Sequence, residues 1–327
     1  MGEHGCEVVA SPPVVWLCPG QGAQRVGMGR DVAERFPAAR QVFQAIDDAL
    51  GVALSRIMFE GPEDELTFTQ NAQPAILAHT VAVHAVVAGA VDHPVAAAGH
   101  SLGEYSAYVT AGALTPTEAA KLVRRRGELM NKAGTERKGT MAAVLGLATE
   151  RVEAACAASS TGGKVVVAAN LNAPDQTVIS GDPDAVAKAG EACKAAGAKR
   201  VLPLKVSGAF HSPLMVPAAA PLRIALDKAE FGDPAFPIVA NATVEAVKDA
   251  ARARRTLADQ LTAPVRWVQC MQTAAQLAGE GARFVEIGPG TVLAGLLRRA
   301  VPGAEVVSLG SAAEITAFLE ADGRMGG

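Results

Sequence analysis

Between Val95 and Tyr108 the chain reads Val-Ala-Ala-Ala-Gly-His-Ser-Leu-Gly-Glu-Tyr-Ser-Ala-Tyr, with Ser101 at its centre. Gly99-His100-Ser101-Leu102-Gly103 fits G-x-S-x-G, the signature of a nucleophile elbow, which demands a strand, a sharp turn and a helix in that order. The apolar run before it and the dozen proline-free residues after it suit that order. Glycines two before and two after the serine let the backbone pass closely enough to leave the hydroxyl exposed. The helix that follows, over 104–112, then aims its positive end at Ser101. Chance supplies the bare pattern in roughly one chain in ten of this composition, so its context has to carry the reading.

The chain can bury a sizeable core, because half of its 327 residues are hydrophobic and only 19% are charged. One large domain, or one with an insertion, is the expectation. A net charge of −3 with 4% aromatics excludes a nucleic-acid surface, which needs a basic excess and stacking rings. The five cysteines, Cys6, Cys18, Cys156, Cys193 and Cys270, are scattered without a C-x-x-C, so neither a disulfide framework nor a metal site is expected. The first dozen residues, with His4 in an expected disordered start, lack a basic start and an apolar run. Cys6 stands where a myristoylation signal wants Ser or Thr. A cytoplasmic location is expected. Asn71 to Val91 carries no charge and is long enough to span a membrane, but it holds Gln73, Pro74, His79, Thr80 and His84. It reads as a buried helix, with Pro74 in its first turn, and no membrane contact is expected.

Strands and helices alternate along the chain. Val14 to Cys18 reads as a buried strand running into the glycine-rich loop Pro19-Gly-Gln-Gly-Ala-Gln-Arg25. Gly22 and Gly27 have P-loop spacing, but Met28-Gly29 replaces the required Lys-Ser/Thr, so nucleotide binding is rejected. One helix is expected over 31–50, and another to about Ala133 capped by Thr117. In the latter, Ala119, Leu122, Val123, Arg126, Leu129 and Met130 share one face. An arginine in an apolar stripe needs an anion. Arg126 either pairs with a protein carboxylate or waits as a fork for a substrate carboxylate. From Gly139 the order becomes β-α-β-β-α-β, the ferredoxin-like arrangement. The expected fold class is therefore α/β, a parallel sheet covered on both faces with an inserted ferredoxin-like subdomain. Residues 138–207 form the insert, and 1–137 with 208–327 form the core. Strands are expected again at Phe236–Ala240 and Arg283–Ile287, and a loose tail at 323–327.

A serine nucleophile needs an adjacent base. His79 and His84 are five apart and share no helical face, His93 precedes Pro94, and His100 should point away from Ser101 as a packed core residue. His211, in a loop between Phe210 and Ser212-Pro213, remains as the candidate.

Taken together, Pro19-Gly-Gln-Gly-Ala-Gln, Asn71-Ala-Gln-Pro-Ala, Gly99-His-Ser-Leu-Gly-Glu-Tyr-Ser-Ala, Arg126-Gly127, Gly139-Thr-Met-Ala-Ala-Val, Gly208-Ala-Phe-His-Ser-Pro-Leu-Met, Pro264-Val-Arg-Trp and Glu286-Ile-Gly-Pro-Gly resemble the malonyl-CoA:acyl carrier protein transacylases and the acyltransferase domains of polyketide synthases. Several ordered motifs are far more specific than one. The resemblance implies an α/β-hydrolase-like core and a dyad of Ser101 and His211. The imidazole would be oriented by a backbone carbonyl near Gln260. Backbone N–H groups of Leu102 and Gln21 would form the oxyanion hole, and Arg126 would bind the malonyl carboxylate. Gln73 and Asn170 would line the acyl and pantetheine cleft. Leu102 and Phe210 accompany malonyl selectivity in that family. It further implies coenzyme A thioester and acyl carrier protein as partners, no cofactor, and a monomer serving fatty acid or polyketide synthesis. With no ketosynthase or carrier domain fitting in 327 residues, a freestanding enzyme is expected. Lys199, Arg200, Arg254 and Arg255 are candidate contacts for an acidic carrier. The rival readings are a serine hydrolase or thioesterase, against which the 116 residues after His211 speak, and an inactive carrier-binding scaffold.

Overall fold

Val14–Cys18 (β1) is buried along its whole length, which a strand can be only when both faces of its sheet are covered. Val14, Trp16 and Cys18 enter one apolar core while Val15 and Leu17 enter the other, so alternate residues serve opposite faces. In this computed structural model residues 12–321 are described; the expectations for His4, Cys6 and the 323–327 tail lie outside them.

After β1 come α1 (Arg30–Arg35), α2 (Pro37–Leu50), α3 (Leu54–Glu60), α4 (Glu63–Thr67), α5 (Thr69–Val87), β2 (Pro94–Gly99), α6 (Gly103–Thr110) and α7 (Pro116–Glu136). The next stretch holds β3 (Thr140–Leu145), α8 (Thr149–Ser159), β4 (Val166–Ala173), β5 (Gln176–Gly181), α9 (Pro183–Ala195) and β6 (Arg200–Pro203). The chain ends through α10 (Val216–Lys228), β7 (Ile238–Val239), β8 (Ala246–Val247), α11 (Ala250–Gln260), α12 (Trp267–Ala278), β9 (Arg283–Ile287), α13 (Val292–Ala300), β10 (Glu305–Leu309) and α14 (Ala312–Ala321).

Six strands form one sheet in the order β10-β9-β1-β2-β7-β8, parallel from β10 to β7 and antiparallel only at β8. β1 and β2 lie side by side in its middle, with Cys18 opposite Gly99. The glycine-rich loop and the elbow therefore leave neighbouring carboxyl ends, the edge at which open α/β sheets collect their sites. A second sheet, in the order β4-β5-β3-β6, is antiparallel throughout and packs its own core with α8 and α9, the ferredoxin-like arrangement expected. Its β4 reaches the rest of the fold through Leu171 N–H to Val265 O (2.9 Å) and Val265 N–H to Ala169 O (2.8 Å).

Four local expectations need correction. The helix expected over 31–50 is two, because Pro37 forces Phe36 into an extended conformation (φ −117°, ψ 114°). Thr115, not Thr117, caps α7: its hydroxyl accepts from Glu118 N–H with Pro116 at the first helical position. That helix also runs past Ala133 to Glu136. Pro74 lies in the second turn of α5 and not the first, where it frees the Gln70 carbonyl; Arg124 Nη1 donates to that carbonyl at 3.2 Å. Of the 19 residues of α5, 15 are buried, so this helix, long and apolar enough to cross a membrane, is the centre of the core instead.

Candidate active site

Ser101 stands at the end of β2 with φ 54°, a left-handed backbone that costs a β-carbon-bearing residue on the order of 1–3 kcal/mol. Both flanking glycines are required. A Cβ on Gly99 would fall 1.9 Å from the Gly103 carbonyl, and one on Gly103 would fall 2.2 Å from Cys18 O. Side chains hold the strained serine on both sides of its backbone. Ser101 N–H donates to Asn241 Oδ1 (2.7 Å), and Ser101 O accepts from Gln260 Nε2 (2.9 Å).

His211 reaches the same point from the loop after β6, and it too has φ 54°. Its Nδ1 lies 2.9 Å from Gln260 O. A carbonyl only accepts, so Nδ1 carries the proton and Nε2 presents its lone pair to Ser101 Oγ at 2.7 Å. The loop is pinned by Ser180 of β5, whose hydroxyl donates to Phe210 O, and by Ser212 Oγ to Ala209 O, each at 2.7 Å. Burial first, and the Arg126 charge second, push the His211 pKa down to about 3. The imidazole is thus neutral, and able to accept a proton, throughout the physiological range. A base at this position would lose its activity only as pH falls through that lowered value. Acyl loading at pH 5.5 should fall no more than about twofold below its pH 7.5 rate, where a base of ordinary pKa 6.5 would have lost about tenfold. A kcat/KM profile for loading, taken from pH 5 to 8, checks this.

Arg126, 1% exposed on α7, completes the group. Nη1 donates to Gln73 Oε1 (2.8 Å), and Nη2 donates to both Ser101 Oγ and Gln260 Oε1 (3.0 Å each). Its hydrogen bonds go to neutral oxygens, so the reading in which it pairs directly with a protein carboxylate is set aside. The guanidinium Nε has no protein partner among the described residues.

The structure thus brings together Ser101, His211, Arg126, Gln73 and Gln260. Leu102, wholly buried at the start of α6, and Gln21, in the loop after β1, have backbone N–H groups without a protein acceptor among the described residues. The two loops touch: a Cβ on Gly20 would lie 2.5 Å from His100 O. Gln21 Nε2 is 3.4 Å from Thr69 Oγ1, which in turn meets Ser207 Oγ at 3.0 Å. Asn170 is buried in β4 opposite Val265 and makes no hydrogen bond to the serine or the histidine. Phe210 is buried beside His211 in the main core. His100 turns away as expected, with Nε2 2.8 Å from Asn172 Oδ1 and its ring edge-on to Trp267. Arg254 does not point at a partner: it donates to the carbonyls of Leu226, Ala229 and Phe231 at the end of α10. Lys199, Arg200 and Arg255 are exposed. Among the described residues no cluster of three His, Cys, Asp or Glu could hold a metal.

Two contributors escaped the sequence reading. Glu104 is wholly buried, and its Oε2 accepts from Asn241 N–H (2.9 Å) and Gln260 Nε2 (2.8 Å). Burial raises its pKa to about 7 against the lowering effect of those bonds. Asn241 holds Ser101 N–H with Oδ1 and donates through Nδ2 to Gly99 O (2.8 Å). For Glu104 a signal existed: it is the one charged residue in α6, all eight residues of which are buried. Asn241 carried none, since it lies far along the chain after a two-residue strand.

Comparison with known proteins agrees with this geometry. Residues 15–320 match the acyl transferase domain family. The malonyl CoA-acyl carrier protein transacylase of Bacillus subtilis is 43% identical over 88% of this chain and 90% of its own length. The crystal structure of an acyl carrier protein S-malonyltransferase from Vibrio cholerae is 42% identical and superimposes with a TM-score of 0.87 over 93% of this chain and 99% of that one. A malonyl-transacylase solved in complex with a type II polyketide synthase acyl-carrier protein is 41% identical, with a TM-score of 0.90 over 94% and 99%. A serine–histidine pair facing a buried arginine, on this fold and at these identities, places the chain in the malonyl-CoA:acyl carrier protein transacylase family of acyltransferases.

Proposed function

We propose that the chain moves a malonyl group from malonyl-CoA to the phosphopantetheine thiol of an acyl carrier protein, by a ping-pong route through an ester on Ser101. The observation that carries this reading is Ser101 Oγ held between His211 Nε2 (2.7 Å) and Arg126 Nη2 (3.0 Å). A base removes the hydroxyl proton on one side; on the other a guanidinium awaits an acyl group with a carboxylate at its far end. Oγ attacks the thioester carbonyl and its proton passes to His211. The oxyanion is held by the N–H groups of Leu102 and Gln21, and the same proton leaves on the sulfur of CoA. The carrier's thiol then gives its proton to His211 and attacks the ester carbonyl, and the same proton returns to Ser101 Oγ as that bond breaks. Gln73 supports Arg126, while Asn170 and Phe210 line the cleft.

The core, 1–137 with 208–327, supplies the nucleophile and the base. The 138–207 insert braces the base loop through Ser180. A monomeric, cytoplasmic enzyme that needs no cofactor fits this scheme, with Lys199, Arg200 and Arg255 free to meet an acidic carrier. A serine hydrolase or thioesterase is the competing reading, but a neutral ester would leave the Arg126 charge unused. Incubation with labelled malonyl-CoA followed by holo-carrier protein tests the choice. Label should pass from enzyme to carrier; free malonate without transfer would favour the hydrolase, and an unlabelled enzyme an inactive scaffold.

A further inference from the structure

Arg126 is a fully buried charge with no carboxylate in direct contact among the described residues. The carboxylate that acts on it electrostatically is Glu104, and one side chain joins the two. Gln260 Oε1 accepts from Arg126 Nη2 at 3.0 Å while Gln260 Nε2 donates to Glu104 Oε2 at 2.8 Å. Glu104 Oε2 and the Ser101 carbonyl both accept from Nε2, which leaves Oε1 as the end of the amide that faces the guanidinium. Glu104 Oε1 makes no hydrogen bond among the described residues, which leaves an oxygen able to carry a proton.

An isolated charge in such a site is costly, and an anion one amide away offsets it. A second carboxylate delivered to Arg126 would set two anions against one cation among buried side chains. We infer that Glu104 is the resident counter-charge of Arg126, relayed by the Gln260 amide, and that loading a carboxylated acyl group makes Glu104 take up a proton from solvent. This rests on the malonyl reading above.

The groups around Glu104 leave it as the one to respond. Tyr105 and Tyr108 on α6, and Cys270 on α12, are raised by burial and already hold their protons. His211, across Gln260, is lowered to about 3, so losing the repulsion of Arg126 still leaves it neutral near pH 7. Arg126 is lowered by burial from a starting value far above neutrality and keeps its charge. Asn241 and Gln260 do not titrate. Glu104, raised to about 7, needs only a small further push. The proton balance separates this uptake from the chemistry. The Ser101 proton departs on the CoA sulfur, so a neutral acyl group changes the proton count only through ionisation of the free CoA thiol. A carboxylated group adds the uptake at Glu104. The device gives the empty site a near-neutral charge and couples loading to the acyl carboxylate.

The test mixes the whole enzyme with malonyl-CoA or acetyl-CoA in weak buffer containing a pH indicator, and quantifies acyl-enzyme in the same samples. At pH 7.5 malonyl loading should take up about half a proton more per acyl-enzyme than acetyl loading. The difference should fade towards pH 5.5, where Glu104 is already protonated, and towards pH 9.5, where it stays ionised in both states. In Glu104→Gln the difference should vanish. Equal proton counts for the two acyl groups in the unmodified enzyme across pH 6–9 would overturn the inference, as would a difference that survives in Glu104→Gln. Should that variant fail to fold, the unmodified enzyme decides: a maximum between about pH 7 and 8.5 supports the inference and a flat profile overturns it. Failure of malonyl-CoA to form any acyl-enzyme is a separate result, which removes the transacylase reading itself and the inference with it.

Discussion

With Ser101 replaced by alanine, incubation with labelled malonyl-CoA is expected to leave no covalent label, and transfer to carrier protein to fall by at least about 10⁴-fold. The size of the loss follows from the geometry. On the proposed route His211 Nε2 takes its proton from Ser101 Oγ at 2.7 Å, and a methyl group has none to donate. The fold should survive, because what holds the elbow is the serine's backbone, through Asn241 Oδ1 and Gln260 Nε2. An unchanged melting temperature combined with lost labelling would therefore assign the loss to chemistry. Retained transfer at more than about a hundredth of the native rate would mean that the acyl group travels without an ester on Ser101.

The second large effect is one of selectivity. Arg126→Ala should lower kcat/KM for malonyl loading by about 100-fold or more, while acetyl loading holds within about threefold or rises. Leaving a buried carboxylate without its guanidinium costs about 2–5 kcal/mol, and a factor of 100 corresponds to about 2.7 kcal/mol. Acetyl has no carboxylate to lose, so it reports what the substitution does to the rest of the site. Truncation also strips donors from Gln73 Oε1 and Gln260 Oε1, so some loss of melting temperature should accompany it. That loss is common to both acyl groups and cancels in their ratio. An equal fall for malonyl and acetyl would remove Arg126 as the reader of the carboxylate.

Much of this site was legible in the chain. Gly99, Ser101 and Gly103 stand out because a backbone that must pass within 1.9–2.2 Å of another at a Cβ position leaves glycine as the only choice. Arg126 stood out as a charge in an apolar stripe, and β1 as an uninterrupted apolar run. Less could be read where a local rule has two solutions. Pro74 satisfies its helix in the second turn only because Arg124, 50 residues away, takes the freed carbonyl of Gln70. The 31–50 segment looked like one helix until the Phe36–Pro37 step was given its steric weight.

By itself, then, the order of residues determined the elements, the elbow and the identity of the groups that could do chemistry, since each depends on contacts within a few positions of sequence. Only the tertiary structure decided how they meet. Ser101 and His211 are separated by 110 residues, and Gln260, 159 residues from Ser101, binds the Ser101 carbonyl, accepts from His211 Nδ1 and joins Arg126 to Glu104. No local pattern marks such a residue, because an amide's partners are set by what packing delivers to its two ends. Glu104 is the sharpest case. In the chain it is a polar residue near the start of a helix, and burial beside an amide and a guanidinium is what turns it into a group that titrates near neutrality.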